Sequence, residues 1–405
     1  MSPVVVVVLL TLLLGIQPVA TDLYLPAMPT LQRELGAGIA STQLTLSALI
    51  LAFGVAQLVA GPLADRYGRR PLLIGGMATY ALACFAAAWS PTIEVLVFCR
   101  VLQGIGIAAA VTCGRALVRA LSPPHEGAKV ISKALTGLGI ISTSAPLVGG
   151  LLVHTLGWRA PLAASGVFGA AALAFIMLRY EETVPAKNPL ALQPGPLWRN
   201  ATAVLAHPTF RAWAALLCCT YGGLFLFLSA SSIVFIDQRG ESRLAYAVLL
   251  ATASVSYVSG TFWCRRLLAR HGLRGAVRRA AWLTLVGGVS MAALDAAGVR
   301  SVWAILIPQW IFSFGHGVHQ PCGQAAAVGP FPEKAGTASA ITGFLMMSVA
   351  FGAGIWLGRT LHGVSWPMTG GIALFSTLLA VVAWTLVQRH GDAQALAERS
   401  ARAAA

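Results

Sequence analysis

Residues Gly61–Leu73 read GPLADRYGRRPLL, with one acid and three arginines set among glycines and prolines. The apolar run STQLTLSALILAFGVAQLVA (Ser41–Ala60) precedes this stretch and LLIGGMATYALACFAAA (Leu72–Ala88) follows it. A membrane-crossing helix needs about 20 apolar residues, and both runs are of that order. A turn this short between two such runs leaves room only for a hairpin of spanning helices. Three basic residues mark its side of the bilayer as cytoplasmic, since Lys and Arg accumulate in inner loops.

Extended outward from that hairpin, the same pattern covers the chain. Apolar windows run 3–29, 41–63, 71–91, 93–114, 134–157 and 160–178, then 209–236, 245–264, 280–297, 301–327, 335–358 and 364–388. Twelve spans use about 240 positions, which matches an apolar content of 57% in 405 residues. Charged residues make up 10% of the chain, against about 25% in soluble domains. A water-facing surface cannot be built from that. The expected fold class is therefore an all-α membrane protein of twelve transmembrane helices in two pseudo-symmetric six-helix bundles. The expected organisation is an N-terminal bundle 1–178, a cytoplasmic linker loop 179–208, a C-terminal bundle 209–388 and a cytoplasmic tail 389–405. The linker carries Glu181, Glu182, Lys187, Arg199, Gly195 and several prolines, a composition suited to joining two bundles.

A net charge of +15 would suggest a nucleic-acid partner in a soluble protein, but here topology accounts for it. With the N-terminus inside, Lys and Arg cluster at 65–70, 115–133, 179–211, 265–279, Lys334 and 389–402. The outer loops keep only Arg33, Arg159, Arg239, Arg243, Arg300 and Arg359. This asymmetry and the even span count put both termini in the cytoplasm. The opening apolar run Pro3–Val19 exceeds a signal-peptide h-region and is expected to stay as the first span. The seven cysteines sit in or at the ends of apolar runs without metal-type spacing, and read as small hydrophobes.

Two equal halves suggest a duplication. Setting Gly272 opposite Gly68 puts Arg270 opposite Arg66, Arg274 opposite Arg70 and Ala269 opposite Asp65. The second copy is basic but lacks the acid, which marks it as a degenerate repeat.

The stretch GPLADRYGRRPLL resembles motif A of the major facilitator superfamily. RVLQGIGIAAA (Arg100–Ala110) is similar to motif B, and APLVGG (Ala145–Gly150) to the antiporter motif C, with Ala145 where the family usually has glycine. TDLYLPAMPTL (Thr21–Leu31), together with Ser41–Pro71, resembles the Bcr/CflA branch of drug:proton antiporters. The resemblance is close over the first six spans and loose over the last six. It implies proton-coupled efflux of small amphipathic drug-like molecules, of the multidrug, amphenicol or bicyclomycin type, by alternating access. The partners are then a small-molecule substrate, protons and the lipid bilayer, with the chain acting as a monomer, without cofactor or nucleic acid. An exporter or facilitator of a small metabolite such as a sugar or amino acid is the alternative. A membrane enzyme or receptor would need a catalytic cluster or soluble domain, and the longest interruption holds neither. No phosphate loop, nucleophile elbow or metal-ligand quartet is present, so energy is expected from an ion gradient.

Individual residues carry these expectations. Asp22 is the one carboxylate deep in an apolar span, where an ionised acid is costly, so it can take up a proton on one side and release it on the other. A structural carboxylate paired with an outer-rim arginine is the alternative, because Asp22 lies about 28 Å along a helix begun near Pro3. Pro18 and Pro26 should kink that helix beside Asp22. Arg100, about two turns into the fourth span, faces the same way as Gln103. The resemblance implies proton transfer for Arg100, against a buried pin to polar groups of the first span. In motif A, Asp65 at the end of the second span is expected to meet the positive helix terminus near Ala335. Arg66, Arg69 and Arg70 can bridge to carbonyls or lipid phosphates, and Gly61 and Gly68 allow the tight turn and close helix approach. Inside-positive anchoring alone is the competing account. In motif C, Gly137, Gly139, Gly149 and Gly150 allow close packing, and Pro146 bends the helix. Arg115 and Arg119 read as snorkelling anchors.

For substrate contact the candidates are Tyr24, Gln103, Tyr221, Phe225, His316 and His319. Tyr221, Phe225 and Phe227 lie beside serines in YGGLFLFLSASS, where lipid-facing packing is the competing reading. His316 and His319 in GHGVHQPCGQ read as a polar patch lining the pathway rather than as a metal site, since no third ligand follows at helical spacing.

Overall fold

The computed structural model describes the backbone of residues 3–120, 124–184 and 187–392. The tail proposed for 389–405 therefore lies outside the described residues beyond Asp392, as does the side chain of Arg119. Among the described residues the chain is helical throughout, with no strand. The helices are α1 (Pro3–Thr21), α2 (Met28–Glu34), α3 (Ile39–Tyr67), α4 (Arg69–Ala88), α5 (Ile93–Ala120), α6 (Pro124–Leu156), α7 (Arg159–Arg179) and α8 (Pro194–Ala206). They continue with α9 (Pro208–Ser232), α10 (Arg243–Ala296), α11 (Trp303–Val328), α12 (Ala335–Thr360), α13 (Trp366–Trp384) and α14 (Leu386–His390).

Ten of these segments are long and apolar enough to cross a membrane. One of them, α10, is two helices joined at Gly272, whose φ of 63° and ψ of −177° break the helical path. Adding α11, whose buried Gln309, His316 and His319 dilute its apolar character, recovers the twelve spans. The all-helical, twelve-span class read from hydropathy is the class of the molecule.

The first span differs from a kinked continuous helix. Its helix stops at Thr21 and resumes as a single 3-10 turn at Leu25–Ala27 before α2. Pro26 and Pro29 have no N–H to give the carbonyls of Asp22 and Leu25, so regular hydrogen bonding cannot be carried through this stretch. Local turns replace it, with Tyr24 N–H donating to Thr21 O at 3.2 Å and Ala27 N–H to Tyr24 O at 2.8 Å. The segment 179–208 also differs from a plain loop, because Pro194–Ala206 forms α8 with Val204 buried. Proline in the first helical turn is compatible with that start.

The described chain clusters into two compact units. Unit 1 holds the described residues of 3–194, 228–251 and 351–362, and unit 2 those of 195–227, 252–350 and 363–392. In unit 1, α1 packs against α5, α6 and α7, while α5 packs against α3 and α4. Close approach is made by glycine. A Cβ on Gly104 would overlap the Leu49 carbonyl of α3, and one on Gly106 would meet the Gly76 carbonyl of α4 at 2.6 Å. Small residues let spanning helices meet backbone to backbone where lipid supplies no hydrophobic drive. A later segment of unit 1 docks on α3, where Gln43 Nε2 donates to Ser229 O at 2.8 Å, and Ser231 Oγ of α9 pairs with Tyr246 Oη of α10 at 3.0 Å. In unit 2, α11 is held to α10 by Trp310 Nε1–H donating to Thr252 Oγ1 at 2.9 Å and Ser256 Oγ–H donating to Trp310 O at 2.6 Å.

Candidate functional site

The turn between α3 and α4 consists of one residue. Gly68 adopts φ 105° and ψ 157°, a conformation essentially closed to L side chains, and serves as the end of one helix and the start of the next. Its backbone alone would leave the first N–H groups of α4 without acceptors. Glu182, on the strand-like exit from α7, fills that need. Its carboxylate accepts from the N–H groups of Arg69 at 3.1 Å and Arg70 at 3.0 Å, and from those of Thr183 at 2.9 Å and Val184 at 3.0 Å. A Cβ on Gly68 would run into this same carboxylate. Burial raises the Glu182 carboxyl, but the four N–H donors outweigh burial and hold it below the usual carboxylate range.

The three arginines of this turn are not equivalent. Arg69 Nη1 donates to Thr183 Oγ1 at 3.1 Å, and Arg70 donates to the carbonyls of Tyr180 at 2.9 Å and Met177 at 3.2 Å. The Tyr180 hydroxyl pairs with Thr183 Oγ1 at 2.8 Å, and burial pushes it up to about 12, so it stays protonated at neutral pH. Arg66 is exposed and lies over the ring of Tyr67, 5.4 Å from its centroid. Asp65 is exposed at the end of α3, and its carbonyl accepts from Asn188 N–H at 2.9 Å. Gly61 sits inside α3 with open space where a Cβ would lie, so the tight turn belongs to Gly68 and not to Gly61.

Deeper in unit 1, Asp22 occupies the break after α1. It is partly exposed, and Thr21 Oγ1–H donates to its Oδ1 at 2.7 Å. Two residues on, Tyr24 is fully buried, with its hydroxyl 2.7 Å from Thr45 Oγ1 of α3. The ring of Tyr24 carries the guanidinium of Arg100 at 3.7 Å from its centroid. Arg100 is 1% exposed, and its Nη1 donates to Ala20 O at 3.1 Å and to Gln103 Oε1 at 2.9 Å. Gln103 in turn donates to Ala83 O at 3.3 Å. Tyr24, Arg100 and Gln103 thus form one buried cluster, while Nε and Nη2 of Arg100 have no partner among the described residues. A buried guanidinium is stabilised by a π face and carbonyls in place of a carboxylate.

Motif C shapes a seam. On α6, a Cβ at Gly149 would overlap the Leu23 carbonyl in the break of the first span, and one at Gly150 would meet Ala247 Cβ of α10 at 2.5 Å. Pro146 lies inside α6, and Ala145 packs with Val19 and Leu23. The glycines therefore bring α6 against the Asp22 segment on one side and against the start of α10 on the other.

The remaining candidates belong to unit 2. Tyr221 and Phe225 are buried. His316 is buried, with Nδ1 2.8 Å from Thr220 Oγ1 and its ring 5.3 Å from that of Tyr257. His319 is buried, with Nε2 3.0 Å from Thr284 Oγ1. Each histidine is tied to a threonine on a neighbouring helix, and no group of three or more metal-type ligands occurs among the described residues.

Sequence reading missed Glu182 as a functional side chain and counted it only as linker polarity. The signal available was an acid just after the sixth span in a chain with 13 acidic residues, on the same side as three arginines. It likewise missed Thr45, Thr220 and Thr284, whose pairing depends on helix contacts that spacing does not reveal.

A family model described as the Major Facilitator Superfamily matches residues 10–355. Among known relatives, a chloramphenicol resistance protein of Pseudomonas aeruginosa is 30% identical over 323 residues, covering 79% of this chain and 75% of that one. Multidrug resistance protein D of Escherichia coli (strain K12) is 27% identical over 376 residues, covering 93% and 94%. Among solved structures, a D-xylose–proton symporter superposes with a TM-score of 0.73 at 14% identity, covering 94% of this chain and 97% of that one. The human organic anion transporter MFSD10 gives 0.71 at 19%, covering 95% and 100%.

Proposed function

Because this chain belongs to the Major Facilitator Superfamily, we propose that it exports small amphipathic drug-like molecules in exchange for protons. Efflux of the amphenicol or multidrug type is favoured by its relatives, a chloramphenicol resistance protein and multidrug resistance protein D, the second of which matches 93% of the chain. The observation that carries the proton half is the position of Asp22. It is a lone carboxylate inside the first span, partly exposed at a helix break, with the buried Tyr24–Arg100–Gln103 cluster two residues away.

The residues divide the work as follows. Asp22 holds or releases the proton, and Thr21 donates to its oxygen when it is ionised. Arg100, anchored on Tyr24 and the Ala20 carbonyl, fixes the segment that carries Asp22 and supplies positive potential there. Tyr221, Phe225, His316 and His319 supply the aromatic and polar surface for cargo. Cargo and proton stabilise opposite states, so that occupancy by one drives release of the other. The bundles proposed for 1–178 and 209–388 move against each other, with Asp65 reaching the N-terminus of α12 near Ala335 in one state. Both termini are cytoplasmic.

The test is drug accumulation in a host stripped of efflux pumps, with chloramphenicol among the compounds and an uncoupler as control. Asp22→Asn should remove uncoupler-sensitive export by tenfold or more, equal to about 1.4 kcal/mol in coupling, while leaving the chain in the membrane. Export unchanged in that variant would sink the proton role of Asp22. Lack of any uncoupler-sensitive export by the unaltered chain would sink the antiporter reading.

A further inference from the structure

One cavity lies wholly in unit 1, and neither Asp22 nor Arg100 lines it. It is a groove of about 840 Å³ along α3, α4 and α5, with Phe351 of α12 also on its wall, and Thr79 is the one polar side chain lining it. Its lining on α3 runs from Leu44 to Leu63, a helical rise of about 28 Å. That equals the hydrocarbon thickness of a bilayer, about 30 Å. Its floor is stripped of side chains: Ala52, Ala56 and Ala60 repeat at every fourth position, and Gly75 has nothing within 4 Å of where a Cβ would lie. Its rims are Val55, Val59 and Ile105, which are 46%, 48% and 44% exposed, so it opens sideways to the bilayer. The glycine-mediated approach of α5 to α3 and α4 creates this concavity, because helices meeting at their backbones leave a trough between their outer ridges.

The mouth at the motif A end has a charge to match. Val59, Leu63 and Arg66 share one stripe of α3 at i, i+4 and i+7. Arg69 and Arg70 spend their guanidinium groups on Thr183 and on main-chain carbonyls. Arg66 alone stays exposed, over Tyr67, without an acceptor among the described residues. Asp65 is turned about 100° round the helix from it.

We propose that this groove holds an anionic glycerophospholipid of the cytoplasmic leaflet, with an acyl chain on the alanine–glycine floor and its phosphate on Arg66. The ligand braces α3, α4 and α5 next to the one-residue turn at Gly68. The assignment does not depend on what the protein exports, and its readout is lipid binding.

The test uses the full chain purified in detergent, delipidated, and re-equilibrated with phosphatidylglycerol or phosphatidylcholine, with bound lipid counted by native mass spectrometry. Both lipids carry a phosphate, but the choline cation cancels its charge in phosphatidylcholine, and one arginine is worth about 1 kcal/mol toward a net-anionic lipid, so phosphatidylglycerol should be retained about fivefold over phosphatidylcholine. Arg66→Gln should abolish that preference. Ala56→Phe or Gly75→Leu fills the trough and should cut retention of both lipids about tenfold, since each displaced methylene counts for about 0.8 kcal/mol. Leu82→Phe, on an exposed face of α4 outside the groove, should leave both unchanged. Two substitutions at separate helices, with thermal unfolding of each, distinguish a filled groove from a misfolded chain. Undiminished retention in both filled variants overturns the proposal, as does a persistent phosphatidylglycerol preference in Arg66→Gln. Filled variants that bind lipid normally but lose drug export would assign the groove to cargo, and would equally overturn it.

Discussion

The turn at Gly68 and the break at Gly272 are the same backbone solution held in two different ways. Both are positive-φ glycines inserted directly between helices, at 105° and 63°. At Gly68 the following helix is capped by the Glu182 carboxylate, which fills the space where a Cβ would lie. At Gly272 that space is open. The second turn is tied instead through Arg274, which pairs with Asp392 at 3.2 Å and donates to Gln388 O at 3.3 Å, while Gln388 Nε2 donates to Arg274 O at 3.3 Å. A carboxylate on four main-chain N–H groups defines a geometry, whereas a half-exposed ion pair supplies little beyond proximity. The first turn is therefore a fitted joint, and the second a tethered one.

The largest expected effect is the asymmetry between glycine substitutions. Gly68→Ala combines a forbidden conformation with overlap of Glu182 and should cost about 3 kcal/mol, read as lost yield and a lower midpoint in thermal unfolding. Gly272→Ala meets conformational strain alone and should cost about 1–2 kcal/mol. Equal losses at both positions would erase the distinction between fitted and tethered joints. Next comes Glu182→Gln, which keeps the shape but removes the charge and one acceptor oxygen. It should cost about 1–2 kcal/mol, as loss of a helix cap does.

Acid sharpens the same contrast. The carboxyl of Glu182 is held below its unfolded value of about 4.3, so its contribution is present above that value and is lost as pH falls through the lower folded one. Thermal midpoints followed from pH 7 to 3 should fall more steeply in the unaltered chain than in Glu182→Gln, and parallel curves would remove Glu182 from the joint. The smallest effect belongs to Asp392→Asn, where an ion pair with partners 39% and 38% exposed should contribute no more than about 0.5 kcal/mol and fade with added salt.

Reading the chain located both turns, because a basic interruption between long apolar runs is visible to hydropathy alone. The alignment of Gly272 with Gly68 came from spacing and matches the paired positive-φ glycines. The partner of the first turn was not legible, since Glu182 reaches Arg69 across 113 residues and nothing in its neighbourhood marks it apart from Glu181. The same limit applies within the first span. Pro18 and Pro26 announced a disturbance beside Asp22, but the stop at Thr21 and the stacking of Arg100 on Tyr24 depend on which helices lie alongside.

The amino-acid sequence by itself determined the number of spans, the membrane environment and the places where charge interrupts apolar helix. Those follow from one-dimensional quantities, the cost of burying polar groups in lipid and the length needed to cross it. Tertiary structure alone decided which carboxylate caps α4, which ring shelters Arg100 and where glycine contacts open a groove along α3. Such pairings bring together residues far apart in the chain, and their energies depend on distances of a few ångströms that composition and spacing do not encode.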